Sequence, residues 1–250
     1  MRILSLLFIM LMVATVGSAD TTFSGQWSLG NLTINSDQAD TYSDITFYHN
    51  CDALGDATKS VGSATVSYGG SILLETTSPI VGTGSWDNNN AVSNRIHIAV
   101  ADNINTGGDF RIGMYIVFKE HQQTETHNLV NGSSTYYPML NPEWGSSNYH
   151  RMYLYGTTAH SAKTAPTLDT AYFWEYAYDS TANTAYVYVD GVLYQQLSGG
   201  ANAWSDDTFV TFRLGAESSG SITDQWYDQI IISNDKDRDI YAIRNVTDFN

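Results

Sequence analysis

The sequence predicts an all-β fold, an antiparallel sandwich of two sheets, on three observations. Short runs that alternate apolar and polar residues recur along the chain, separated by clusters of Gly, Asn, Ser and Asp. No segment sustains a helical period, and only four prolines interrupt the 250 residues. The stretch from Tyr172 to Tyr194 has the form of a hairpin. Two aromatic and β-branched runs flank the polar turn 179–184, and a second turn follows at Asp190-Gly191.

The first nineteen residues precede the fold. Arg2, an apolar run from Ile3 to Val16 and the small residues Gly17-Ser18-Ala19 predict a secretory signal peptide cleaved before Asp20. The protein is then expected outside the cell or on its surface. As a membrane anchor the run falls short of the roughly 20 residues that a span requires, and no later stretch is apolar enough to insert. Residues 20–250 are expected to form one domain with its core at about 44–233.

Within that domain, Phe23 to Ile34 reads as edge-strand material. Strands follow at 44–52 and 63–77, the second of them turning back on itself at Tyr68-Gly69-Gly70-Ser71. A long connection through Gly82, Gly84 and 86–90 leads to a strand from Asn94 to Ala101, and 106–109 turns the chain into Phe110 to His121. A wide loop over 122–148 precedes the strand Arg151 to Tyr155, a crossing rich in Thr, Ala, Ser and Pro, and then the hairpin. Phe209 to Leu214 and Trp226 to Ser233 complete the sandwich, and the charged tail 234–250 is expected to cover an edge.

Charge narrows the partners. Arg2 is the one charged residue of the first nineteen, which leaves ten basic and twenty-six acidic residues in 20–250. That balance argues against nucleic acid and against an anionic bilayer. Cys51 is the single cysteine, so stability must come from core burial rather than an intrachain disulfide, and it reads as a small buried hydrophobe. Sequons at Asn31, Asn131 and Asn245 permit glycosylation where the host supplies it.

Alternation also assigns faces. Ile96, Ile98 and Val100, then Phe110 through Phe118 at every second residue, with Met152, Leu154, Trp174, Tyr176, Tyr178, Val187, Val189, Val210, Phe212 and Leu214, form the inward set. The opposite parity collects Arg95, His97, Arg111, Tyr115, Lys119, Arg151, Tyr153, Tyr155, Phe173, Glu175, Tyr186, Tyr188 and Arg213. Five of the ten basic residues therefore fall on one predicted outward face, among tyrosines. Aromatic rings stack on sugar C–H faces, and Arg or Lys pairs with carboxylate or sulfate, so this set (Phe173 apart) is the predicted ligand surface for a glycan. The plain alternative is a solvated sheet face, for which the same residue types are ordinary.

Three stretches carry a resemblance to a known superfamily. FYHNCDALGDATKSVGSATVSYGGSILLETT, YFWEYAYDSTANTAYVYVDGVLYQQ and the pair FRLGAESSG and QWYDQIIIS, together with FRIGMYIVF, resemble the concanavalin A-like jelly rolls, especially laminin-G-like domains. The likeness covers most of 44–233. It implies a jelly-roll sandwich whose concave sheet commonly carries glycan polymers. It also implies a structural Ca²⁺ held between the opening loop and the final strand, which places Asn50, Asp52 and Asp228 as its ligands here. The superfamily holds lectins, adhesion modules and enzymes, so the fold alone does not choose among them.

The favoured reading is a secreted lectin-like protein that binds glycan, with no strong catalytic signature in the sequence. A polysaccharide lyase acting on a uronic-acid polymer is the first alternative, with Arg95, His97, Arg111, Tyr153 and Tyr188 as the set that would neutralise the carboxylate and move the proton. The alginate-lyase signatures are missing, and Arg95-Ile96-His97 is a weak echo of one. A glycoside hydrolase is less favoured still, because no Glu-x-Asp-x-x-Glu strand exists and Glu175 is the one carboxylate on the predicted face. A surface or filament protein is the remaining alternative. It would self-associate by pairing Phe23 to Ile34 or the tail with a neighbour.

Overall fold

Side chains at alternate positions give the long central strands two distinct faces, and both are buried. The computed structural model describes residues 42–55, 59–60, 65–89, 95–99, 108–119, 139–144, 149–154, 157–161, 166–198, 211–215 and 224–246. Residues 1–19, expected to be a signal peptide, and Phe23 to Ile34 lie outside them. The described strands are β1 (Ile45–His49), β2 (Lys59–Ser60), β3 (Thr65–Gly69), β4 (Leu73–Glu75), β5 (Ser85–Asp87), β6 (Arg95–Ala99), β7 (Phe110–Phe118) and β8 (Met139–Trp144). They continue with β9 (Tyr149–Leu154), β10 (Thr157–Ser161), β11 (Ala171–Asp179), β12 (Thr184–Val189), β13 (Val192–Ser198), β14 (Thr211–Gly215) and β15 (Gln225–Ser233). One short helix, α1 (Ile240–Ile243), follows.

A nine-stranded sheet runs β13-β12-β11-β7-β15-β1-β2, with β5 also on β15 and β4 on β5. Two smaller sheets run β10-β9-β8 and β14-β6-β3, and every described pairing is antiparallel. The main core joins the inner face of the large sheet (Ile112, Met114, Ile116, Trp174, Tyr176, Val187, Ile232) to Ile96, Ile98 and Leu214 of the β14-β6-β3 sheet. This is a β-sandwich, and the inward residues predicted on β6, β7, β11 and β12 and at Leu214 pack in this core, whereas Val100 and Val210 lie outside the described residues and only the backbone is described for Met152, Leu154 and Phe212.

The hairpin of β11 and β12 forms as expected. Asp179 accepts a hydrogen bond from the Ala182 amide at 2.7 Å, and Asn183 takes the positive φ that the turn requires. Between β12 and β13, Asp190 and Gly191 both have positive φ, the geometry of a type I′ turn.

Several expectations are corrected. β3 and β4 do not pair with each other: β3 joins β6 and β4 joins β5, so Gly70, at φ 83°, carries the chain between sheets instead of closing a hairpin. Strands β5, β8 and β10 lie in stretches read as connections. The tail covers a face, not an edge. Its helix drops Ile240 into a second apolar cluster with Ile45, Tyr48, Phe173 and Ile231 on the outer side of the large sheet. Asp239 caps the helix by accepting from the Ala242 amide at 2.9 Å. Arg238 pairs with Asp44. Burial pushes the Asp44 carboxyl up, but hydrogen bonds from Arg238 and Ser233 outweigh it and leave the group below its ordinary value.

The fit beneath the tail is tight at Gly113, where an added Cβ would stand 2.7 Å from both the Phe173 ring and Ile240 Cγ2. Gly113→Ala is expected to cost about 1–3 kcal/mol, the usual scale of overpacking. Urea denaturation would show it as a lowered midpoint with an unchanged slope.

Candidate functional site

The predicted ligand face does not stay together in space. Arg95, His97 and Arg213 belong to the β14-β6-β3 sheet, where His97 stands opposite Arg213 and Ser67 in register. Arg151 and Tyr153 lie on β9 of the third sheet. Arg111, Tyr115, Glu175, Tyr186 and Tyr188 lie on the large sheet. Only the backbone course is described for Arg95, Arg151, Tyr153 and Arg213, and Tyr155 is outside the described residues. The lyase set of Arg95, His97, Arg111, Tyr153 and Tyr188 is thus divided over three sheets. Alternation reveals which face of a strand a residue takes, but not which sheet the strand joins.

On the large sheet Arg111, Glu175 and Tyr188 do meet, yet beneath the tail. Arg111 donates from Nε to Glu175 Oε1 at 3.0 Å and lies over the Tyr188 ring at 4.4 Å. Glu175 is fully buried, its Oε1 also accepting from the Tyr241 amide at 3.1 Å. Burial raises its carboxyl above the ordinary range against the pull of Arg111. Glu175 and Arg111 were expected to face solvent. The tail closes over them, with Arg111 also donating to the Lys236 carbonyl at 3.4 Å.

The three residues expected to bind calcium also gather at one place. Between Asp228 and Ile231, β15 carries a bulge with Gln229 at positive φ, and there β5 replaces β1 as its neighbour. Asp228 points into this junction. It accepts from the Val81 amide at 3.0 Å, the Ser85 hydroxyl at 2.8 Å and the Gln229 amide at 2.8 Å. Asp52 accepts from Thr83 N, Thr83 Oγ1 and Gly84 N through Oδ1, and from Asn50 Nδ2 at 2.9 Å through Oδ2.

These residues do not fit a calcium ion. Both carboxylates are met by N–H and O–H groups, four of them main-chain amides that turn the positive ends of their dipoles toward the oxygens. Among the described residues no group of three His, Cys, Asp or Glu converges for a metal. The nearby carbonyls of Ala53 and Gly55 are also engaged, by Trp86 Nε1 and by Tyr68 and His49. The arrangement is a latch that ties the 80–84 turn to β15 and the opening loop.

A different surface on the same outer side is partly exposed. Asp87, Trp226 and Val117 stand side by side in register across β5, β15 and β7, with Leu73 and Ala171 extending the row on β4 and β11. Trp226 is half-buried and belongs to neither apolar cluster. Lys119 Nζ lies 4.1 Å over its ring and pairs with the largely exposed Asp169. Tyr115, a diagonal neighbour of Trp226, stacks edge-on against Phe173 and accepts from Arg244 Nε at 2.8 Å. Tyr115 and Lys119 were predicted for the ligand face, whereas Trp226, Asp87, Leu73 and Arg244 were not. The signal for Trp226 was its outward phase beside the inward Tyr227.

No family model matches the chain, and no curated protein sequence does. Solved structures resemble it at low identity. Domain 4 of AbnA, an extracellular GH43 arabinanase from Geobacillus stearothermophilus determined in complex with arabinotriose, aligns with a TM-score of 0.58 and 14% identity, over 76% of this chain and 92% of that one. The botulinum neurotoxin serotype D binding domain gives 0.58 and 12% over 82% of this chain, which spans about half (52%) of that one. A Trypanosoma rangeli sialidase gives 0.60 and 14%, over 82% of this chain and 34% of that one. The likeness is one of fold.

Burial pushes the Asp228 carboxyl up to about 7, with the Asp52 charge adding to it, while an unfolded aspartate titrates near its ordinary value of about 3.9. The folded state therefore holds an extra proton between those values, and the contribution of Asp228 to stability declines from about pH 4 to about pH 7. The unfolding midpoint of Asp228→Asn relative to wild type should accordingly move in the variant's favour between pH 5 and pH 7.5. Separately, EDTA should leave the wild-type midpoint unchanged, since the latch is made by hydrogen-bond donors; a drop on chelation that calcium restores would contradict it.

Proposed function

We propose that the chain is a secreted, lectin-like glycan-binding β-sandwich of the concanavalin A-like, laminin-G-like kind, and that the glycan rests beside the C-terminal tail, on the open row around Trp226. The observation that carries this reading is Trp226 itself. A large aromatic side chain stands half-buried on a sheet face, outside both apolar clusters, with polar and charged groups on either side. Indole faces stack on the C–H faces of sugar rings, and flanking carboxylates and ammonium groups orient hydroxyls by hydrogen bonds. Tyr115 and the exposed Leu73 extend the platform to either side.

The structural neighbours support the same reading. The arabinanase domain was determined with arabinotriose and is matched over nearly its whole length. The botulinum domain is by its description a binding domain, and the sialidase was determined with a sialic acid derivative. The buried Arg111–Glu175 pair contributes to the platform indirectly, by holding the tail against the sheet.

Affinity electrophoresis and titration calorimetry against a panel of soluble oligosaccharides test the proposal. Trp226→Ala should weaken binding by about threefold to tenfold, within the 0.5–1.5 kcal/mol scale of an aromatic contact, with far-UV circular dichroism unchanged. Binding that survives Trp226→Ala undiminished would place the glycan elsewhere, and binding to no glycan at all would overturn the reading.

A further inference from the structure

The charges around Trp226 point to the class of ligand, an inference that rests on the glycan-binding reading above. Asp87 stands beside Trp226 in register, Asp169 pairs with the Lys119 that lies over the indole, and half-buried Glu75 is on the same side of the sheet. Lys119 is the cation nearest the ring among the described residues, and Asp169 already neutralises it. The whole chain carries a net charge of −15, so the approach of a polyanion is opposed at long range as well. Carboxylates only accept hydrogen bonds, which suits the hydroxyl donors of an uncharged sugar and repels carboxylate or sulfate groups.

The position of Lys119 adds a second element. Val117 lies on the outer face, directly in register with Trp226, and is nevertheless 6% exposed. The Lys119 ammonium sits 4.1 Å over the centre of the Trp226 ring, on a face where a sugar would stack. We infer that the platform binds uncharged glycans and that Lys119 is a displaceable cap: a sugar ring takes the place of the ammonium over the indole, and Lys119 swings away while still tethered to Asp169.

The sign of one substitution decides the matter. If the ligand were anionic, Lys119 would be its counter-ion and Lys119→Ala would weaken binding. If Lys119 is a cap, its removal relieves a competing cation–π contact and tightens binding by about two- to fivefold. The experiment titrates the secreted protein and Lys119→Ala with arabinotriose, xylohexaose and cellohexaose as uncharged probes, and with oligogalacturonate and a heparin fragment as anionic ones.

The expected result is binding among the uncharged probes alone, tightened by Lys119→Ala and insensitive to raising NaCl from 50 to 500 mM. Preference for an anionic probe, or weaker or unchanged binding of the uncharged probes by Lys119→Ala, would overturn the inference and leave the glycan-binding reading standing. Failure of every probe to bind would overturn that reading, and the ligand class with it. Lys119→Met serves as a second variant should Lys119→Ala disturb the fold; it keeps the stem and removes the charge, and it should not weaken uncharged probes.

Discussion

Glu175 lies beneath the C-terminal segment, and taking a carboxylate out of water is costly unless donors replace the lost solvation. Arg111 from the neighbouring strand and the Tyr241 amide from α1 supply those donors. The outer side of the large sheet depends on this arrangement. If α1 moved away, Glu175 would lose a donor, and the cluster around Ile240 would lose its cover. Apolar burial and ion pairing thus act on the same short segment. Four helical residues hold their place because tertiary packing, rather than helix propensity, fixes them.

The Asp228 bulge plays a comparable part on the other flank. β15 pairs with β7 along one side, but its other side is shared between β1 and β5, and the bulge marks the change of partner. Donors from the 80–85 segment converge on the carboxylate at that point, and Tyr48 donates to Gln229 Oε1 at 3.0 Å beside it. The row of Leu73, Asp87 and Trp226 exists because β5 and β4 are fixed to β15 here.

Much of the inner core was legible, since Ile112, Met114, Ile116, Trp174, Tyr176 and Val187 alternate with a period of two and pack as that period requires. Outward parity was equally legible for Arg111 and Glu175. Their exposure was not, because it depends on Ile240, Tyr241 and Ile243, a short apolar phrase inside an otherwise charged tail. The grouping of His97 with Arg111 failed for another reason. Strand partners are set by contacts distant in sequence, so the same parity on β6 and β7 leads to different sheets. Asn50, Asp52 and Asp228 were brought together as the resemblance implied, but around main-chain amides, whose direction no side-chain pattern reveals.

The order of synthesis gives the tail a further meaning. Ile45, Tyr48, Phe173 and Ile231 all precede Ile240 in the chain, so the residue that covers the outer cluster of the large sheet is the last of that cluster to be made. A chain halted or clipped ahead of α1 presents a bare apolar patch together with a buried-type carboxylate that lacks a donor. Exposed apolar surface of this kind favours aggregation, and docking of α1 covers it.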